Sequence, residues 1–159
     1  MKTFKAPANV ATFFLRIPLS AMFLQQGLSK LPVTGAVADA WGLPYIVWWF
    51  VTWGEIGAAV GLIVGGLLGL IPWHAKHFFL GRLGRSFPRF RWFTEELGDL
   101  VTRFSGITMT CIATGVIWML SPQSLWDVIY KDYLHVSLYV GGLYFALRGN
   151  VGYEVNSKR

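Results

Sequence analysis

Cysteine, histidine and acidic side chains are scarce in this 159-residue chain, and each scarcity removes a class of chemistry. The single cysteine, Cys111, falls within an apolar run, so no disulfide framework, CxxC redox pair or cysteine metal site can be built. Of three histidines only His135 lies within an apolar run, which excludes a haem held between helices by two axial imidazoles. His74 and His77 stand at i, i+3 without cysteine or carboxylate support, so no metal site is expected from them. The chain has no phosphate loop, nucleophile elbow or HExxH motif. It has no internal repeat and no low-complexity segment, and by itself it shows no catalytic set.

What the chain has instead is apolar length. Hydrophobic residues make up 54% and charged residues 14%, with a mean hydropathy of +0.48, too apolar for a soluble domain. Residues 1–159 suit one membrane domain. Four segments, Asn9 to Leu28, Tyr45 to Ile71, Leu100 to Leu120 and Val128 to Leu147, reach or approach the roughly 20 residues a helix needs to cross a bilayer. Lys2 and Lys5 imitate the start of a signal peptide. Arg16 interrupts the apolar stretch and no small-residue cleavage site follows, so the first segment reads as a retained helix. The expected fold is all-α: an integral membrane four-helix bundle.

The net charge of +6 is distributed by side rather than by patch, which argues against a nucleic-acid partner. With four spans, the N-terminus, the loop from Pro72 to Asp99 and the C-terminus share one side. That side holds 12 of the 14 Lys and Arg residues, leaving Lys30 and Lys131 opposite. The positive-inside rule then puts both termini in the cytoplasm.

The first outer loop, Leu31 to Pro44, carries the breakers Pro32, Gly35, Gly42 and Pro44, and Trp41 and Tyr45 are expected to order it at the membrane surface. The short connection SPQSLWD makes the last two spans antiparallel neighbours. Trp48, Trp49, Trp53, Trp118 and Trp126 fall at the outer edge, as an interfacial aromatic belt would. Between the second and third spans, HAKHFFLGRLGRSFPRFRWFTEELGD interleaves Lys76, Arg82, Arg85, Arg89 and Arg91 with phenylalanine and tryptophan. Such a basic amphipathic loop suits the headgroup region and anionic lipid, or a docking protein partner.

Gly57, Gly61, Gly65 and Gly69 recur every fourth residue, a spacing that lets a second helix approach closely. Pro18 leaves the carbonyl near Phe14 without its usual donor. At about 100° per residue, Arg16, Ser20, Phe23, Gly27 and Lys30 share one face of the first helix, with Gln26 at its edge and Gln25 on the far side. Trp48, Thr52, Glu55, Ala59 and Leu62 form a line on the second, Arg103, Thr110, Thr114 and Ser121 on the third, and Asp132, His135, Tyr139 and Gly142 on the fourth. One polar line per span is the pattern of a bundle with its polar groups inward.

Glu55 lies about 16 Å below Pro44 at ~1.5 Å per residue, near the bilayer centre. A charge there costs about 3 kcal/mol. Glu55 is therefore either ion-paired with Arg16 or Lys30, or kept neutral by its surroundings. It serves either as a structural pair or as a proton or ligand group in a cavity. Lys30, Gln26, Asp132 and His135 belong to the outer half. Arg16, Arg103 and Arg148 belong to the inner half and need counter-charges or lipid phosphates, with Glu95, Glu96 and Asp99 near enough to serve Arg103.

LRIPLSAMFLQQGLSKLP, with Arg16, Phe23, Gly27, Lys30 and Leu31, resembles the first helix of DoxX-like membrane proteins, where an arginine precedes an F-x3-G-x2-K-L ending. GEIGAAVGLIVGG resembles their second helix, with its embedded glutamate and following glycines. The resemblance implies a small four-helix protein of the bacterial inner membrane and carries over Arg16, Gly27, Lys30 and Glu55. The 28-residue basic loop is longer than the family's usual connection. The family takes its name from subunits of quinone-linked oxidoreductases, and some members are linked to oxidative-stress complexes.

Three functions follow as expectations. The chain is an accessory or quinone-interacting membrane subunit of an oxidoreductase system, with Lys30, Gln26, His135 and Tyr139 as donors to a quinone headgroup and Glu55 assisting proton movement. It is a small-molecule or proton carrier built around Glu55 and Lys30, in which case four spans suggest a homo-oligomer. Or it is a scaffold or assembly factor, in which Glu55 and Arg16 only hold helices. No covalently bound cofactor is expected. With no electron carrier of its own, the chain would need a protein partner for redox chemistry and would not be an enzyme alone.

Overall fold

The computed structural model describes residues 8–70, 88–120 and 123–150. All elements among them are helical: α1 (Ala8–Ser29), α2 (Gly35–Ala40), α3 (Tyr45–Leu70), α4 (Pro88–Met119), α5 (Leu125–Lys131) and α6 (Tyr133–Arg148). Within α3 and α4, Tyr45–Leu68 and Leu97–Met119 are long and apolar enough to cross a membrane. α1 has the length, but Arg16, Ser20, Gln25 and Gln26 dilute its apolar character, and α6 has 16 residues.

Three departures from the expected layout have local causes. The outer loop contains α2, capped by Thr34 Oγ1 on the Val37 amide. It closes with paired bonds from Leu43 N to Ala38 O and from Gly42 N to Asp39 O, which need the positive φ that Gly42 supplies. α4 begins at Pro88, well before Leu100, because proline at the first helical position loses no intrahelical bond. At 32 residues α4 runs for about 48 Å, longer than a bilayer core, so the end of the expected basic loop is its first turns. The fourth segment is two helices rather than one, broken at Asp132 (φ −125°, ψ 43°), whose carboxylate engages the His135 ring.

The long helices pack in chain order, each antiparallel to the one before. α1 meets α3 at Gly27, where a Cβ would lie 3.1 Å from the Ile56 backbone nitrogen. α3 meets α4 through Gly54, Ala58, Gly61 and Gly65, opposite Ile112, Ser105 and Thr102. α4 meets α6 at Gly106 and Gly142. α6 reaches α1 through Gly141 on Leu19 and Phe145 on Arg16. The core between them is Leu19, Phe23, Ala58, Ala59, Leu62, Met109, Ala113, Leu138 and Phe145.

The packing glycines are not the four expected. Gly61 and Gly65 lie against α4, but Gly57 has nothing near it, and the surroundings of Gly69 lie outside the described residues. A strict four-residue step advances 400°, so that stripe drifts about 40° each time. The observed spacing of four, three and four residues holds one face. α4 also differs: its buried polar residues are Thr102 and Ser105, whereas Thr114 is exposed. Ser105, Thr108, Thr110 and Thr114 each donate to the carbonyl four residues back, so their hydroxyls are satisfied on any face.

Candidate functional site

Two buried polar nodes tie the helices together. The outer node is centred on Glu55, buried on α3 in line with Trp48, Thr52, Ala59 and Leu62. Lys30, one residue beyond α1, places Nζ 2.7 Å and 2.6 Å from the two Glu55 carboxylate oxygens. Of the two partners left open by the sequence, Lys30 is the one used. Lys30 Nζ also donates to the Gln26 carbonyl at 3.3 Å and stands 5.9 Å from the centre of the Trp48 ring, within cation–π range. Gln26 thus takes part through its backbone.

Trp48 is not a member of the exposed belt formed by Trp49, Trp53, Trp118 and Trp126. It is buried, and Trp41 stacks on it with centroids 6.1 Å apart. Its Nε1 has no hydrogen-bond partner among the described residues. A buried indole N–H left without an acceptor forfeits about 1–3 kcal/mol.

On α6, His135 Nδ1 is bonded to Asp132 Oδ1. Asp132 Oδ2 is buried without a partner among the described residues, as is Ser20 Oγ on α1. Tyr139, one turn deeper than His135, packs against the apolar core.

The inner node gathers around Arg16. Nη1 donates to Leu62 O and to Thr102 Oγ1, both at 2.9 Å, and Nη2 donates to Asn150 Oδ1. The guanidinium lies 4.6 Å from the Phe145 ring centre, and its stem runs over Gly66, where a Cβ would come within 2.8 Å of Arg16 Cδ. Asn150 is the hub. Its Nδ2 donates to Gly65 O at 2.6 Å, its Oδ1 accepts from Thr102 Oγ1 at 3.0 Å, and its backbone N–H donates to Asp99 Oδ1. Asp99 Oδ2 takes the Arg103 Nε proton at 2.7 Å, and Arg103 closes the end of α6 by donating to Leu147 O and Arg148 O. Arg148 stacks over Tyr144 at 5.6 Å. Of the basic loop, Lys76, Arg82 and Arg85 lie outside the described residues; Arg89 and Arg91 are on α4, their side chains outside the description.

Asn150 and Thr102 are not singled out by the sequence, and Trp48 falls by sequence both on the Glu55 line and in the outer belt. The triplet RGN at the end of the last apolar run is the one available signal: a glycine that ends a helix and turns the next side chain back.

The DoxX family model matches residues 11–72. Over that stretch the chain is similar to DoxX proteins. The matched stretch runs from α1 to the end of α3, so the DoxX-like segment holds Arg16, Gly27, Lys30, Trp48 and Glu55. The Lys30–Glu55 pair is complete within it, whereas Thr102, Asp132, His135 and Asn150 come from the remainder. No curated protein and no solved structure matches the chain.

Proposed function

We propose that this DoxX-like protein is a four-span protein of the bacterial inner membrane, with both termini cytoplasmic, and that it serves as an accessory, quinone-binding membrane subunit of an oxidoreductase system. The observation that carries the reading is the unpartnered Trp48 Nε1 beside the Lys30–Glu55 pair. Lys30 and Glu55 satisfy each other, so neither offers a free charge to attract a charged ligand. It offers a buried donor to a neutral acceptor in an apolar setting, and a quinone carbonyl is such an acceptor. His135 adds a second polar group. Electrons would come from a partner protein, since the chain has one cysteine and a single histidine within an apolar run. The basic segment around Lys76 to Arg91 would meet anionic lipid or that partner.

One observation favours a second reading, a proton or small-molecule carrier. The break between α5 and α6 at Asp132 resembles the interrupted helices that line substrate sites in transporters.

The test is binding of a short-chain quinone to the protein in lipid nanodiscs. Trp48→Phe keeps an aromatic ring, though a smaller one, and removes the N–H, and should weaken binding about tenfold, the worth of one hydrogen bond. Unchanged affinity in that variant would overturn the headgroup site. Uptake of a solute by the purified protein in vesicles, without quinone binding, would favour the carrier.

A further inference from the structure

Gln25 stands nine residues along α1 from Arg16, which puts the two on opposite sides of the helix. Arg16 is buried against the other helices; Gln25 is exposed, and its amide has no hydrogen-bond partner among the described residues. Its depth follows from the contact between α1 and α3. A Cβ at Gly27 would lie 2.7 Å from the Ile56 side chain and 3.1 Å from its backbone nitrogen, so the two residues share a level. Ile56 is the middle of the apolar stretch Tyr45–Leu68, about 17 Å from its start and about 18 Å from its end at ~1.5 Å per residue. Gln25, two residues from Gly27, stays within about 3 Å of that level. An unpaired amide therefore faces outward halfway along a segment long enough to cross a membrane.

The same face of α1 carries Phe14, Pro18, Ala21 and Leu28, all exposed. Steps of four, three, four and three residues are the spacing of a helix–helix seam, with Gln25 as its hydrogen-bonding member. Ala21, one turn away, is small enough for a second backbone to come close. We propose that this face of α1 is the interface between two copies of this chain, with the two Gln25 amides paired across a two-fold axis. Lipid tails offer the amide neither donor nor acceptor, and the side chain is too short to carry it to either surface. A side-chain amide is complementary to itself, because it holds both an acceptor oxygen and donor hydrogens: each Oε1 accepts from the Nε2 of the other copy. A two-fold axis along the membrane normal brings the residue to one depth in both copies. The interface is independent of the quinone reading, since Lys30 and Glu55 lie on the buried side of α1.

The experiment reconstitutes the full chain in lipid vesicles at decreasing protein-to-lipid ratio and reads the balance of monomer and dimer by single-molecule photobleaching of an N-terminal fluorophore. Wild-type protein is expected to dimerise. Gln25→Leu, which suits lipid and replaces an exposed residue, should raise the dissociation constant about tenfold, the worth of the amide pair. Gln25→Asn keeps an amide and should retain most of the dimer. In a Cys111→Ser background, Ala21→Cys and Leu28→Cys should each form a disulfide between copies, whereas Phe104→Cys, exposed on α4, should not. Wild-type protein that stays monomeric at every ratio, or a Gln25→Leu dimer as tight as wild type, would overturn the proposal. So would disulfides that form through α4 and not through α1, or a photo-crosslinker at Gln25 that captures a different membrane protein while the pure chain stays monomeric.

Discussion

Lys30 Nζ lies within 2.7 Å of both carboxylate oxygens of Glu55, joining the end of α1 to the middle of α3. The lysine side chain is 15% exposed and the glutamate 3%. Neither charge has water in quantity, so each depends on the other. A buried pair of this kind is costly to form and costlier to halve, because the group left behind keeps its desolvation penalty and loses its attraction.

Glu55→Gln should therefore destabilise the fold by about 3–5 kcal/mol, leaving Lys30 buried beside a neutral amide. The double change Lys30→Met with Glu55→Leu, which removes both charges, should recover most of that loss. Thermal unfolding in detergent of the wild type, Lys30→Met, Glu55→Leu and the double variant gives the coupling directly. A Glu55→Gln protein as stable as wild type would show that Lys30 does not rely on the carboxylate.

The inner node makes a separate prediction. Asn150→Ala removes the acceptor for Arg16 Nη2 and Thr102 and the donor for Gly65 O in one step. The loss should be about 1–3 kcal/mol, the cost of leaving buried polar groups unpaired. Arg16→Lys should be comparably harmful, since one ammonium cannot reach Leu62 O, Thr102 and Asn150 as the planar guanidinium does. Melting temperatures would check both, and an undisturbed Asn150→Ala protein would mean that the residue after α6 holds nothing.

These two nodes were unequally legible in the sequence. The buried faces of α1 and α3 follow from the helical period, because a residue's angle about its own axis needs no knowledge of its neighbours. Arg16, Ser20, Phe23 and Gly27 share a face, as do Trp48, Thr52, Glu55, Ala59 and Leu62, and all nine are buried. Which cation meets Glu55 depends on how α1 slides along α3, and Gly27 sets that register only once the helices are packed. Asn150 was invisible for a different reason: it stands outside every helix, and the positive φ of Gly149 aims it. Thr102 and Ser105 escaped notice because hydroxyls that bond their own helix give no sign of which face is buried. Trp48 was read both with the outer tryptophans and on the Glu55 line, and it is the helical period, not composition, that says this ring points inward.

Glycine substitutions should separate the packing face of α3 from its open one. A Cβ at Gly65 would fall 2.9 Å from Gly98 O, a backbone atom that cannot step aside. Gly65→Ala is expected to destabilise by about 1–3 kcal/mol through overpacking. Gly57→Ala meets nothing and should stabilise by up to ~1 kcal/mol, the helix-propensity gain of alanine over glycine. Opposite shifts in melting temperature are the expected result. Shifts of one sign would place the helix contact elsewhere.

Orientation is testable without any ligand. If Lys and Arg set the topology, the side carrying 12 of 14 faces the cytoplasm, because cytoplasmic loops retain the basic residues during insertion. In a Cys111→Ser background, single cysteines at Lys2 and Lys158 should react with a membrane-impermeant maleimide only after the cells are opened. A cysteine at Ala36, in the helix that follows Thr34, should react in intact spheroplasts. Its exposure makes the label accessible, and its place between α1 and α3 puts it on the opposite side from both termini if those helices span. Labelling of Lys2→Cys and Lys158→Cys on opposite sides would require an odd number of crossings and would remove the four-span layout, with the broken α5–α6 segment as the first candidate for a helix that does not cross.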